Sequence, residues 1–185
     1  MNDPLDLASR PGLPDELRVL ARLYPRSGWH DHPNFSDLIA FWLDRHLTFR
    51  EVLSRMQSAT RMQMAAPQDR FAPEIARYTG FFLGQLHDHH SIEDHHYFPR
   101  LKRFDFRLHR GFEMLDADHH ALDAEIAALA EATNALLARM RAGEAGEPGR
   151  LLEVQERFAR FLDRHLADEE EVIVPVLLKY TPDLD

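Results

Sequence analysis

Twelve histidines stand in a chain without cysteine, and their spacing, more than their number, points to chemistry. His89 and Glu93 lie four residues apart, and so do His165 and Glu169. On a helix such residues sit one turn above each other on the same face, so each pair offers an imidazole nitrogen and a carboxylate to one point. The pairs head two stretches that match at identical spacing, His89-Glu93-Asp94-Phe98-Pro99-Leu101 and His165-Glu169-Glu170-Val174-Pro175-Leu177. This weak internal repeat gives the two segments equivalent roles. His46 and His119 each interrupt an apolar stripe on a different segment. An unpaired carboxylate or unsatisfied imidazole buried in a helical seam is costly, so six of them at one level need compensation by each other or by a metal. Two carboxylates that can bridge, with four imidazoles, suit two cations a few ångströms apart. Nitrogen and oxygen donors without thiolate suit iron or manganese, and also zinc. His90, next to His89, and His120, next to His119, flank the seam; side-chain direction on a helix favours His90 as a seventh donor.

The elements that must carry these residues are helical. Apolar residues recur at alternating steps of three and four, and strand-like alternation is absent. The pattern predicts four long helices, from Asn34 or Ser36 to about Met64, Pro73 to Leu101, Asp105 to Arg141 and Gly149 to Tyr180. Ala65-Ala66-Pro67 breaks the first, and the glycine-rich stretch from Ala142 to Gly146 ends the third. Short loops between long amphipathic helices predict an all-α, up-down-up-down four-helix bundle over residues 34–182, preceded by an N-terminal extension, residues 1–33, with turns and a short helix at Pro14–Leu23. Asp94, Glu170, Glu171, His87, Asp88 and His95 fall off the stripes and are expected on a solvated face. His30, His32 and His109 are expected at the surface, in turns or at a helix end.

Composition narrows the function. A length of 185 residues suits one domain with a substantial core. The formal charge of −9 is spread along the chain, which disfavours nucleic acid or an anionic membrane surface as partner. Lack of cysteine excludes disulfides, thiolate metal sites and thiol nucleophiles. The opening stretch MNDPLDLASRPGLP has no basic or apolar leader, and no apolar run reaches membrane-spanning length, so a soluble cytoplasmic protein is expected.

The run His89-His90-Ser91-Ile92-Glu93-Asp94-His95-His96-Tyr97-Phe98-Pro99 resembles the HHxxE(E/D)xxxFP signature of hemerythrin-like cation-binding (HHE) domains. His165 to Glu171, followed by Pro175, is similar to that family's last-helix HxxxEE motif. Asp118-His119 with Leu122 resembles the third-helix motif, and His46 with Phe49-Arg50 the first-helix ligand. The resemblance covers about residues 34–180. It implies a non-haem di-iron centre, two Fe ions held by His46, His89, Glu93, His119, His165 and Glu169, with Glu93 and Glu169 bridging. It also implies a small partner ligand (dioxygen, nitric oxide or peroxide) or a role in sensing iron or redox state. Two departures separate the chain from the invertebrate oxygen carriers. His119 lacks a second histidine four residues away on its helix, and Glu169 stands where they have an aspartate five residues after the histidine. A binding or sensing protein is therefore expected before reversible oxygen transport. The competing readings are a di-iron enzyme acting on peroxide or dioxygen, and a structural bundle holding zinc or a vestigial site. Zinc or manganese could occupy a purified sample, and the protein partner is open, a homodimer among the options.

Overall fold

The computed structural model describes residues 5–184. Among them the regular structure is entirely helical: α1 (Asp37–Ala65), α2 (Phe71–Ile92), a π-helical segment (Glu93–Tyr97), α3 (Phe98–Leu101), α4 (His109–Arg141) and α5 (Pro148–Tyr180). The all-α, four-helix-bundle class predicted from periodicity is the observed one, with α2, the π segment and α3 together forming the second long helical stretch. None of the described helices is long and apolar enough to cross a membrane.

The helix ends follow local chemistry. Ser36 Oγ accepts a hydrogen bond from the Ile39 amide at 3.4 Å, an N-cap for α1. After α4 the chain turns through Gly143 and Gly146 at φ +77° and +70°, a left-handed conformation that a Cβ disfavours. A Cβ on Gly146 would also meet Leu136 Cδ1 at 2.5 Å. The π segment was not foreseen. The Phe98 amide bonds back to the Glu93 carbonyl, five residues away, just before Pro99, which has no N–H and crowds the carbonyl four residues back. The short helix expected at Pro14–Leu23 is instead a single 3-10 turn, Asp15–Leu17, with a second at Arg26–Gly28. So short a helix has little intrinsic stability, and burial of Leu13, Leu17 and Leu20 dictates the path of this segment.

By contacts the chain divides into two compact units that share the long helices. One comprises the residues up to His46, His89–Ala121 and those from Asp163 onward. Its core gathers Ile39 and Trp42 of α1, Phe98 and Leu101 of α3, Phe112 and Leu115 of α4 and Val172, Val176 and Leu177 of α5. Leu13, Leu17, Leu20 and Trp29 of the N-terminal segment join the same cluster. The other unit comprises Leu47–Asp88 and Leu122–Leu162. There Phe82 of α2 packs edge-on between Phe49 of α1 and Phe158 of α5, with ring centroids 6.1 and 5.5 Å away. Two of its buried hydroxyls are satisfied within their own helices, Thr60 on the Met56 carbonyl at 2.9 Å and Thr133 on the Leu129 carbonyl at 2.8 Å, and the Thr79 hydroxyl lies 3.5 Å from that of Thr133.

Asp105 ties down the start of the third long stretch. Its carboxylate accepts from the Arg107 amide at 3.2 Å, from Arg107 Nε at 2.8 Å and from the Tyr180 hydroxyl at 3.0 Å. The Arg107 hydrogen bonds hold this carboxyl well below its ordinary range, against the opposing effect of burial. A depressed carboxyl stabilises the fold above its unfolded pKa and loses that contribution as pH falls toward the folded value. Asp105→Asn is expected to lower stability by about 1 kcal/mol at neutral pH and to flatten the loss of stability below about pH 4. Denaturant melts from pH 7 down to pH 3 measure both.

Candidate metal centre

All seven residues singled out from the sequence converge in the first unit. Their donor atoms form two groups, His90, His119 and His165 in one, and His46, His89, Glu93 and Glu169 in the other, each with its atoms within 4.8 Å of one another. His120 joins neither; it is exposed, with Nδ1 2.8 Å from the Asp116 carbonyl. His90 is buried and stacks on His119 with ring centroids 4.0 Å apart. The three-nitrogen group thus needs no second histidine on α4, because α2 supplies His90 beside His89.

The two carboxylates divide their oxygens between the groups. Glu93 places Oε1 3.1 Å from His89 Nε2 and Oε2 3.7 Å from His119 Nε2. Glu169 places Oε1 3.6 Å from His46 Nε2 and Oε2 3.4 Å from His165 Nε2. The Nε2 atoms of His46 and His89 lie 3.1 Å apart, a spacing at which two lone pairs repel unless a proton or cation lies between them. Nε2 of His90, His119 and His165, both oxygens of Glu93 and Oε2 of Glu169 are buried and make no hydrogen bond. Buried polar atoms are rarely left in this state. A cluster of them aimed at common points fits metal ligands.

Electrostatics tell the same story. Burial pushes the His89 imidazole down to about 3 and that of His90 well below its ordinary value, so both present neutral nitrogens. Burial and the facing Glu169 raise the Glu93 carboxyl. Glu169 is held low despite burial, by the imidazoles of His46, His89 and His165 that crowd around it. His165 is held up at about 9, because Asp118, bonded to its Nδ1, and the nearby Glu169 carboxylate outweigh the effect of burial. Bound cations would favour the deprotonated form of every one of these donors.

Behind the donors stands a shell of carboxylates that the sequence reading misplaced. Asp94 and Glu170 were expected on a solvated face. Instead Asp94 Oδ1 lies 2.7 Å from His119 Nδ1, and the buried Glu170 places Oε1 2.9 Å from His46 Nδ1. One residue further round the helix from Glu93 and Glu169, each meets the back of the lone histidine of a neighbouring helix. The internal repeat held the signal, since Asp94 and Glu170 occupy equivalent positions in it. Asp118 does the same for His165, with Oδ2 3.3 Å from Nδ1. Such acceptors fix the tautomer and aim Nε2 inward. Trp42 Nε1 donates to Glu169 Oε1 at 2.7 Å. His87, Asp88, His95, His30 and His109 are exposed as expected, whereas Glu171 and His32, expected on solvated surfaces, are half-buried.

No curated protein and no solved structure matches the chain. A family model does, over residues 37–177, described as the hemerythrin HHE cation-binding domain. That span covers most of the chain and every residue of the two donor groups, so the chain belongs to the hemerythrin HHE cation-binding domain family.

Proposed function

We propose that the protein holds two iron ions in a non-haem di-iron centre and uses it to bind or sense a small ligand, dioxygen, nitric oxide or peroxide, or iron itself. The observation that carries this reading is the division of Glu93 and Glu169, each with one oxygen toward the three-histidine group and one toward the His46–His89 group. A single cation would need only one oxygen from each; a bridging arrangement needs both. Iron is favoured among metals of this donor chemistry by the family resemblance.

The chain's own residues have separable tasks. His90, His119 and His165 would hold one ion, His46 and His89 the other, and Glu93 and Glu169 would span them. Fewer than six protein donors face either position, which leaves room for a small exogenous ligand. Bound iron would supply a redox-active centre for that ligand. Asp94, Asp118 and Glu170 orient the imidazoles by accepting from Nδ1. The Phe98 ring, stacked on His119 at 5.5 Å, and the Trp42 ring, 6.4 Å from His89, keep water from the imidazole faces. Protein purified without added metal is expected to carry about two equivalents of iron, and the reduced form to gain new visible bands with dioxygen or nitric oxide. Less than about one equivalent of any transition metal, or a reduced, fully loaded protein whose spectrum ignores both gases, would remove the basis for this reading.

A further inference from the structure

We propose that residues 5–28 form a basic strap that positions the metal-binding histidines, Arg10 by holding Asp118 behind His165 and Arg26 by holding Glu170 behind His46. The inference rests on the two-cation reading above and extends it to a segment outside the matched family span, which begins at residue 37.

The Arg10 side chain is fully buried between two carboxylates. Its Nη1 donates to Asp118 Oδ1 at 3.0 Å and its Nη2 to Asp118 Oδ2, the same oxygen that lies 3.3 Å from His165 Nδ1. Its Nε donates to Asp168 Oδ2 at 2.7 Å. Asp168 is shared with Arg164, whose Nη1 in turn donates to the Pro11 carbonyl at 3.0 Å, so the strap is pinned again one residue past Arg10. Further along, Arg26 pairs with Glu170 Oε2 while Glu170 Oε1 faces His46 Nδ1 at 2.9 Å. The Arg26 guanidinium also lies 4.7 Å over the buried Trp29 ring, which belongs to the core.

Each arginine therefore acts one bond behind a different donor group, His165 in the three-nitrogen group and His46 in the mixed one. A buried carboxylate deprived of the guanidinium that fixes its plane is free to turn away. It then no longer accepts from Nδ1, and the imidazole loses the contact that fixes its tautomer and direction. A guanidinium paired side-on is well suited to this role, because its planar fork fixes the carboxylate plane as well as neutralising it. Arg10 is the stronger control, being buried with its partners. Arg26, about half exposed, is the weaker and the more sensitive to salt.

The test is anaerobic Co(II) titration of the full chain, read by ligand-field bands and chelator competition, for wild type, R10M, R10K, R26M and R10M/D118N. Wild type is expected to take up Co(II) in two distinguishable steps. R10M should weaken one step by about 10–100-fold with the other little changed, and R26M should weaken the other step by up to about 10-fold, matching the size of effects from groups behind metal ligands. R10K should recover part of the loss, since it restores charge without the fork. D118N should add little to R10M, because both act through one contact. Folded R10M and R26M that bind both ions as wild type does would overturn the inference. So would losses shared equally by both steps and tracking the melting temperature, which mark packing alone. If R10M does not fold, R26M and R10K decide the matter by the same criteria. Wild type that takes up no Co(II) would instead overturn the two-cation reading, and the strap with it.

Discussion

Glu93→Gln is expected to reverse sign between the metal-free and metal-loaded protein. In the metal-free state Glu93 is a buried carboxyl with both oxygens outside any hydrogen bond, its pKa raised by burial and by Glu169. A raised carboxyl contributes fully below its unfolded pKa and progressively less as pH climbs toward the folded value. The metal-free variant should therefore melt at or above wild type at pH 8, with the difference shrinking toward pH 4. With metal the order inverts, because the amide cannot bridge as an anion. Wild type should gain about 2.7 kcal/mol for each site at a free metal concentration of about 100 times its Kd. The variant should lose most of that gain together with at least one equivalent of bound metal. Thermal melts with and without Fe(II) at pH 5 and pH 8, combined with metal analysis, read all three quantities. A variant that keeps full metal content and a wild-type melting shift would contradict the bridging role of Glu93.

Phe82→Ala separates folding from metal binding. Phe82 is fully buried between Phe49 and Phe158, and all three rings lie in the unit Leu47–Asp88 and Leu122–Leu162, which holds none of the candidate donors. Truncating a buried phenylalanine removes its transfer free energy and leaves a cavity, together about 3–5 kcal/mol. Against a total stability of about 5–15 kcal/mol, that is a large fraction of what holds the domain folded. The midpoint of denaturation should drop sharply while metal content per folded molecule stays at the wild-type value. A loss of metal in protein that remains folded would show that the position acts on the site as well as on the core.

The helices and the pairing of candidate donors along them were legible in the sequence for one reason. Residues four apart on a helix share a face whatever the helix packs against, so His89 with Glu93 and His165 with Glu169 were legible as pairs. His46 and His119 stood out because an imidazole in an apolar seam breaks the pattern. Helix limits came within a few residues, since capping by Ser36 and the turn at Gly143 and Gly146 are local events. The π segment was missed because a local widening of the helix leaves no trace in the apolar periodicity.

What the chain determined by itself, then, is the type of each donor, its helix and its phase, all set by short-range geometry. Side-chain direction favoured His90 over His120, but only the tertiary structure decided that His90 joins His119 and His165 in a three-nitrogen group while His89 joins His46, since that depends on where the neighbouring helices lie. It alone turned Asp94 and Glu170 from solvated acids into the supports of His119 and His46. It also brought Arg10 to Asp118 and Asp168, 108 and 158 residues away. Contacts of that range arise from the packing of whole segments, here the burial of Leu13, Leu17 and Leu20 that carries the N-terminal strap to the metal centre, and no local pattern encodes them.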